Sequence, residues 1–146
     1  MHIRPLEPCD IDAVAALFDS LARTYILHDS PADLAAAFLK ENDAHGVRGF
    51  IARGHVYHVA VDDGRLLGFI AMREERHLFH LFVAAGAHRR GIGRALWEHV
   101  RAGRPGPFTV NASDYAIPAY QAFGFTSAGP RQTVKGLTFT PMRLAP

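Results

Sequence analysis

The chain has 146 residues, a formal net charge of +2, 49% hydrophobic residues and 21% charged residues. These values are typical of one globular domain, which we place over residues 1–146, with enough apolar surface to form a core. The weak positive charge argues against nucleic-acid binding. The single cysteine, Cys9, excludes an internal disulfide and a multi-cysteine metal site, and no bound metal is expected. The chain has neither a signal-peptide pattern nor a long apolar run, which predicts a cytoplasmic location and no membrane partner.

The first third of the chain predicts one strand and two helices. Residues 2–4 form a short strand. Asp10 is the predicted N-cap of a helix whose apolar residues follow the 3.6-residue period, namely Ile11, Val14, Leu17, Phe18 and Leu21. Ser30 is the predicted N-cap of a second helix, with Pro31 at its first position, and this helix fades by residues 45–46.

The remaining residues alternate between strands and helices. Residues 56–61 and 66–72 form a predicted hairpin, because polar turn residues separate two alternating runs. Three strands and two helices follow, at residues 77–83, 91–102, 108–110, around Tyr120, and at residues 137–144. This order predicts the α/β fold class, with a mixed sheet and flanking helices.

Two glycines open the predicted helix at residues 91–102. Gly91 and Gly93 follow a strand and come just after Arg89 and Arg90. Glycine lets the backbone approach a ligand closely, and the first N–H groups of a helix are unpaired and carry partial positive charge. This arrangement favours a phosphate or pyrophosphate ligand. A plain strand-to-helix turn with solvated arginines is the competing interpretation.

Two common phosphate-binding motifs do not fit this loop. The dinucleotide-binding fingerprint requires a third glycine where this chain has Leu96. The phosphate loop of nucleotide hydrolases requires a Gly-Lys-Ser/Thr triplet, and the sequence contains none. The loop therefore belongs to neither of these two classes.

A second segment completes a recognisable pattern. Residues 108–125, FTVNASDYAIPAYQAFGF, run from a strand through a polar turn into a short helix. Together with residues 88–93 (HRRGIG) and residues 136–142 (GLTFTPM), they resemble the GNAT superfamily of acyl-CoA-dependent N-acetyltransferases. The resemblance covers the chain from about residue 55 onward. It implies the GNAT fold, a mixed central sheet with a splayed parallel strand pair and flanking helices, and it implies acetyl-CoA as co-substrate.

The resemblance also implies a set of CoA-binding residues. In this family the loop wraps the CoA pyrophosphate, and a backbone N–H of the preceding strand holds the thioester carbonyl. His88 stands where Gln or Arg is usual, and Ser113 stands where relatives often have an asparagine that contacts CoA. The implied residues are Leu81, Phe82, Val83, His88, Arg89, Arg90, Gly91, Ile92, Gly93, Arg94 and Ser113.

Tyr120 is the proton donor that the resemblance implies. It begins a Tyr-x-x-x-Gly-Phe pattern that Gly124 and Phe125 complete, and in the family this tyrosine protonates the departing CoA thiolate. A buried core tyrosine is the ordinary alternative. Tyr115 is the obvious substitute donor.

His77 is the candidate general base, at a position where several GNAT enzymes have a glutamate. Another base position of the family is occupied here by apolar Phe108. A histidine with an ordinary pKa of about 6.5 accepts protons near neutral pH. A regular strand would place His80 on the face opposite His77, although a bulge would change that. His77, His80 and bulk water remain alternatives.

These observations predict an N-acetyltransferase that moves an acetyl group from acetyl-CoA to a primary amine by direct attack. The predicted acceptor is a small-molecule or peptide amine, and the sequence does not identify it further. The sequence also leaves open whether the protein forms a homodimer. One alternative is a catalytically weak acyl-CoA-binding sensor or partner-binding module with the same fold. Another is a basic protein that docks on RNA, which steeply salt-dependent RNA binding would reveal.

Overall fold

A mixed sheet lies at the centre of the computed structural model, which describes residues 1–88 and 90–146. Its strands are β1 His2–Pro5, β2 Val56–Asp62, β3 Arg65–Arg73, β4 His77–Val83, β5 Phe108–Ala112, β6 Thr126–Ser127, β7 Gln132–Val134 and β8 Leu137–Leu144. They lie in the order β1-β2-β3-β4-β5-β8-β6, and β7 pairs with the first residues of β8. The β4–β5 pair is parallel, and the other described pairs are antiparallel.

Helices cover both faces of this sheet. They are α1 Ile11–Tyr25, α2 Ala32–Glu41, α3 Ala44–Ala52, α4 Ile92–Arg101 and α5 Ile117–Ala122. One core cluster contains Phe18 of α1 and Phe69 of β3, and the other contains Trp97 of α4 and Ile70 of β3. Because consecutive strand residues point to opposite faces, Phe69 and Ile70 place these two clusters on the two sides of the sheet.

None of the helices in the described part of the chain combines the length and the apolar character needed to span a membrane.

The structure changes both predicted helix starts. Asp10 is the N-cap residue of α1, as predicted, but its side chain does not cap the helix, because its carboxylate accepts from the Arg4 guanidinium at 2.7 and 3.0 Å and from the Glu7 N–H at 2.8 Å. Ser30 does not cap α2 either, since its hydroxyl donates to the Gly136 carbonyl at 2.6 Å. Asp10 is thus occupied by residues that precede it in the chain, and Ser30 by a residue that only the folded chain brings near.

The second predicted helix is in fact two helices. Helix α2 ends at Glu41. Asp43 caps the following helix α3 by accepting a hydrogen bond from the Gly46 N–H at 2.8 Å. Helix α3 contains two glycines, and glycine disfavours helix interiors. For this reason the helical pattern of the sequence weakens where α3 begins.

Strands β4 and β5 separate soon after they meet. They pair only through His77–Thr109 and Leu78–Val110, although β4 continues to Val83. This opening is the splayed parallel pair that the fold class implies.

Strand β4 also carries a bulge at its start. Ala71 of β3 lies opposite His80, and the next residue Met72 lies opposite Leu78, so Phe79 is the extra residue. A bulge changes the alternation of side chains along a strand. The opposite placement expected of a regular strand therefore does not hold. His77 and His80 share one face, because their β3 partners Arg73 and Ala71 are two residues apart.

The turn between β7 and β8 packs against the start of α2. Besides accepting from Ser30, Gly136 has a positive φ of +79°, and an added Cβ there would lie 2.9 Å from Leu34 Cδ1. A side chain at this position would clash. The contact ties two segments together that are far apart in the chain.

Candidate active site

One cleft of about 770 Å³ runs through the opening between β4 and β5. One end is formed by the loop after β4, the start of α4 and the helix α5, and the other end by α1, α2 and β8. Gly91, Ile92, Gly93 and Arg94, which the sequence analysis assigned to CoA, lie at the first end. The cleft is within the usual size range for small-molecule sites.

The start of α4 is open to a ligand. Gly91, the residue before the helix, has a φ of +76°, and no side chain caps the first turn. The unpaired N–H groups of this turn and the helix dipole favour an anion. A Cβ on Gly93 would lie 3.6 Å from the Val83 side chain, so this part of the helix lies close to β4. Gly91, Ile92 and Gly93 all line the cleft, as the sequence predicts.

The backbone of β4 presents donors to the same opening. Ala84, just after β4, donates its N–H to Leu67 of β3 at 2.8 Å. Because N–H groups alternate in direction along a strand, those of Leu81 and Val83 point away from β3, toward the opening. Leu81, Phe82 and Val83 line the cleft.

The side chains around the loop hold it in place. His88 Nε2 lies 2.7 Å from the Val83 carbonyl oxygen, so this nitrogen carries the proton and donates to β4. Arg94 donates to the Ala122 carbonyl at 3.1 Å and lies over the Phe123 ring at 5.2 Å, which ties α4 to the end of α5.

The other implied CoA contacts are more scattered. Arg90 is exposed and lies outside the described lining of the cleft, whereas Ser113, at the turn before α5, is part of that lining. Arg89 lies outside the described residues. The side chains of His88 and Arg94 thus form hydrogen bonds within the protein, to Val83 and Ala122. The two glycines and the nearby backbone groups line the cleft.

Tyr120 is buried on α5 at the edge of the cleft, with 5% of its surface exposed. Its ring packs edge-on against Phe125 at 5.7 Å and Phe123 at 6.0 Å. Burial raises the pKa of the Tyr120 hydroxyl above its ordinary value of 10.0, because the phenolate would lose its hydration. The hydroxyl is therefore protonated over the working pH range and able to donate. Tyr115 is 55% exposed and stacks on Tyr25 at 4.0 Å.

His77 lies at the start of β4, where its Nδ1 is 2.8 Å from the Thr109 hydroxyl oxygen. Burial, with a smaller contribution from the positive charge of Arg73, lowers the pKa of His77 from 6.5 to about 4. The imidazole is therefore neutral at neutral pH. In the tautomer whose Nδ1–H donates a hydrogen bond to the Thr109 hydroxyl, Nε2 has a free lone pair.

His80 lies in a cluster of rings, which we call the aromatic end of the cleft: Phe18, Phe38, Phe79, His80 and Phe82. Burial lowers the pKa of His80 to about 3. The sequence analysis assigned Phe82 to the site through the backbone of its strand, but it did not assign Phe18, Phe38 or Phe79, because apolar side chains of this kind are typical of a core. Arg73 and Asn111 also line the cleft.

The fold is a mixed sheet with a cleft at the opening between two splayed parallel strands. A family model with the description "Acetyltransferase (GNAT) domain" matches residues 26–146. The chain belongs to the GNAT acetyltransferase family. Membership confirms the predicted family and fold class, and with them the acyltransferase class and acetyl-CoA as co-substrate.

A curated relative and several solved structures are similar to the chain. The peptidyl-lysine N-acetyltransferase YiaC of Escherichia coli K12 is 44% identical over 66 residues, which is 44% of this chain and 45% of that protein. The chain thus matches less than half the length of this relative.

The solved structures agree over nearly the whole chain. A protein of Rhodopseudomonas palustris described as a GCN5-related N-acetyltransferase is 24% identical with a TM-score of 0.82, covering 99% of this chain and 94% of that one. The PaiA N-acetyltransferase of Thermoplasma acidophilum, in complex with coenzyme A, is 13% identical with a TM-score of 0.79, covering 99% and 98%. At sequence identities this low, the structural similarity establishes the fold and nothing more specific.

Proposed function

We propose that the chain, acting as one domain over residues 1–146, transfers the acetyl group of acetyl-CoA to a primary amine by direct attack. The observation that carries this proposal is one cleft containing the uncapped start of α4, the opening between β4 and β5, and Tyr120. Each of these parts answers one demand of the reaction: binding of a pyrophosphate, polarisation of a thioester and protonation of a thiolate.

The α4 end of the cleft would bind CoA. Backbone N–H groups from Gly91 to Gly93 suit the pyrophosphate, with the positive charge of Arg90 and Arg94 nearby and Arg89 as a further predicted contact. The Leu81 and Val83 amides point toward the opening and suit the thioester carbonyl, whose oxygen gains negative charge during attack.

Two proton transfers balance the reaction. The amine nitrogen forms a bond to the thioester carbon while the carbon–sulfur bond breaks. His77 accepts the proton that the amine loses, directly or through water, and Tyr120 gives its proton to the leaving sulfur. His80 and bulk water are the alternatives to His77 as base.

Direct transfer needs no covalent acyl-enzyme on a cysteine. The only cysteine, Cys9, is exposed rather than the buried apolar residue that its type suggests, and it lies outside the described lining of the cleft. Both substrates therefore have to occupy the cleft together.

The acceptor is an amine on a small molecule or a peptide. The Escherichia coli relative is named as a peptidyl-lysine N-acetyltransferase, so a lysine peptide belongs in any acceptor panel. A cytoplasmic location and the absence of nucleic-acid partners stay predictions, and a homodimer stays open. Fractionation of cells, RNA titration at two salt concentrations and light scattering on the purified protein test them.

The decisive experiment incubates the protein with acetyl-CoA and a panel of amines, and measures the acetylated product by mass spectrometry. We expect product with at least one amine, intersecting initial-rate patterns, and an undiminished rate for Cys9→Ser. Parallel initial-rate patterns would indicate an acyl-enzyme and contradict direct attack. Tight acetyl-CoA binding without any product would favour the sensor or partner-binding alternative.

A further inference from the structure

The end of the cleft that faces away from α4 is aromatic. Around the ring of Phe18 lie Phe38 at 5.5 Å, Phe82 at 5.0 Å and His80 at 4.8 Å, and Phe79 stacks on His80 at 4.0 Å. We propose that the acceptor is an amine on an aromatic or otherwise apolar skeleton that carries no second cationic group. This inference rests on the proposed function and narrows its substrate class.

The charges around the cleft support this choice. None of the described residues that line it is an aspartate or a glutamate. The described lining contains two arginines, of which Arg94 is bonded to the end of α5 and Arg73 lies beside His77. A carboxylate that acts on His77, by raising its pKa, is that of Glu74, which lies outside the described lining in the exposed turn between β3 and β4. A polyamine or an aminoglycoside, by contrast, needs carboxylates to pair with its additional ammonium groups.

His77 and His80 cannot pair with an ammonium group as an anion would, because an imidazole is either neutral or cationic. Both are neutral at neutral pH, because burial lowers their pKa values. A second ammonium group placed among the phenyl rings would lose its hydration without gaining an ion pair. The attraction of a cation to a phenyl face recovers only part of that loss.

An aromatic acceptor, in contrast, fits the geometry already present. Phe18 and Phe82 meet edge to face, with an angle of 68° between the rings, as do Phe50 and Phe79 at 66°. A guest ring in the cleft can join this cluster in the same manner. Its amine then points toward the opening where His77 and Tyr120 line the cleft.

The test compares three acceptors of different chemistry with the unmodified protein. They are 2-phenylethylamine, 1,4-diaminobutane and the blocked peptide acetyl-Ala-Lys-Ala-amide, each with saturating acetyl-CoA and product quantified by mass spectrometry. We expect kcat/KM for 2-phenylethylamine to exceed that for each of the other two by at least about tenfold, since a buried unpaired charge and a lost apolar contact both act on this ratio. An equal or higher value for the diamine or the peptide would overturn the inference.

A charge switch makes the test independent of overall activity. Asn111→Asp adds a carboxylate to the cleft with almost no change in volume, and Gln132→Glu makes the matching change at an exposed site outside the described lining. We expect Asn111→Asp to shift the kcat/KM ratio toward 1,4-diaminobutane by at least about fivefold, and Gln132→Glu to leave that ratio unchanged. An equal shift in both variants would indicate a general charge effect and contradict the inference.

Failure of the proposed function is distinguishable from failure of this inference. If neither these three acceptors nor any other amine of the panel is acetylated, the proposed function fails, and calorimetric titration of the protein–CoA complex with each of the three amines decides the acceptor class. Tighter binding of 2-phenylethylamine than of 1,4-diaminobutane then supports the inference, and equal or tighter binding of the diamine overturns it.

Discussion

Replacing Tyr120 with Phe removes one oxygen from a buried ring and leaves its packing on Phe123 and Phe125 in place. If Tyr120 donates the proton to the CoA thiolate, kcat should fall by about 10²–10⁴-fold, the usual contribution of general acid–base catalysis. The thermal unfolding temperature and the Kd for acetyl-CoA should stay close to those of the wild type. Steady-state kinetics, thermal melts and calorimetry measure these three quantities.

Tyr115→Phe is the matched comparison for this prediction. Tyr115 lines the same cleft on the exposed turn before α5. We expect a much smaller loss of kcat from this change than from Tyr120→Phe. The reverse order would assign proton donation to Tyr115 and leave Tyr120 as a core residue.

His77 makes a prediction about pH. Burial and the positive charge of Arg73 lower its pKa to about 4. The carboxylate of Glu74 acts in the opposite direction, and His55 lowers the pKa further. A base works in its deprotonated form, so log(kcat/KM) should rise with pH and bend near 4, well below the bend near 6.5 that an ordinary histidine gives. An aromatic amine of low pKa is needed as acceptor, because ionisation of a basic amine produces its own rising limb.

The variants His77→Gln and His80→Gln separate the candidate bases. His77→Gln should remove the bend near pH 4 and lower kcat/KM at pH 7 by about 10²-fold, while His80→Gln should keep the bend. A His77→Gln variant with the wild-type rate and profile would assign the base to His80 or to water. Thr109, which bonds His77 Nδ1, is the residue that orients this ring.

At the scale of secondary structure, the start of α4 gives a prediction about CoA affinity. Gly91 adopts a φ of +76°, a conformation that Asn and Asp tolerate better than other residues with a Cβ. Gly91→Asn and Gly91→Asp therefore add nearly the same bulk and differ in charge. We expect the Asp variant to bind acetyl-CoA at least about tenfold more weakly than the Asn variant, and the difference to shrink at high salt, because the added carboxylate repels the pyrophosphate.

Calorimetric titration of both Gly91 variants at low and high ionic strength measures this difference. Equal affinities for acetyl-CoA in the two folded variants would mean that the pyrophosphate does not lie at the start of α4. The binding part of the proposed function would then have no support.

Local sequence patterns predicted most of these elements. The alternation in β2 and β3, the glycines before α4 and the Tyr-x-x-x-Gly-Phe pattern on α5 each depend on a few neighbouring residues. The bulge at Phe79 could not be predicted in this way, because it depends on the register between β3 and β4. Nor could the bond from Arg94 to Ala122, since it joins residues that only the folded chain brings together.

The site divides in a similar manner. The residues at the start of α4 were predicted from a motif that is contiguous in the chain. Of the aromatic end, only Phe82 and His80 were named from the sequence. Phe18 and Phe38 on the helices and Phe79 on β4 were missed, because each apolar side chain on its own is typical of a core. Only the tertiary structure shows that these rings pack against one another and also line the cleft.

The whole molecule should lose stability in mild acid. Burial lowers the pKa of His80 to about 3 and that of His77 to about 4, while in the unfolded chain both have pKa values of about 6.5. As the pH falls from about 6.5, the unfolded state takes up protons that the folded state does not, so the free energy of unfolding decreases. For His80 alone the loss between pH 7 and pH 5 is at most about 2 kcal/mol.

Denaturant unfolding at pH 7 and pH 5 measures this loss. His80→Phe and His80→Gln should both unfold with a smaller difference between the two pH values than the wild type, whatever their absolute stability. His45→Gln, a change at an exposed residue of α3, should keep the wild-type difference. An unchanged difference in both His80 variants would show that His80 does not titrate in the way its burial predicts.

The contact between α2 and the turn before β8 also has an evolutionary consequence. The Ser30 hydroxyl donates a hydrogen bond to the Gly136 carbonyl, 106 positions along the chain. A Cβ at Gly136 would lie 2.9 Å from the side chain of Leu34. Positions 34 and 136 are therefore not free to change independently. Among relatives with the same turn, a residue with a side chain at position 136 should occur together with a smaller residue at position 34, so these two columns of an alignment should covary.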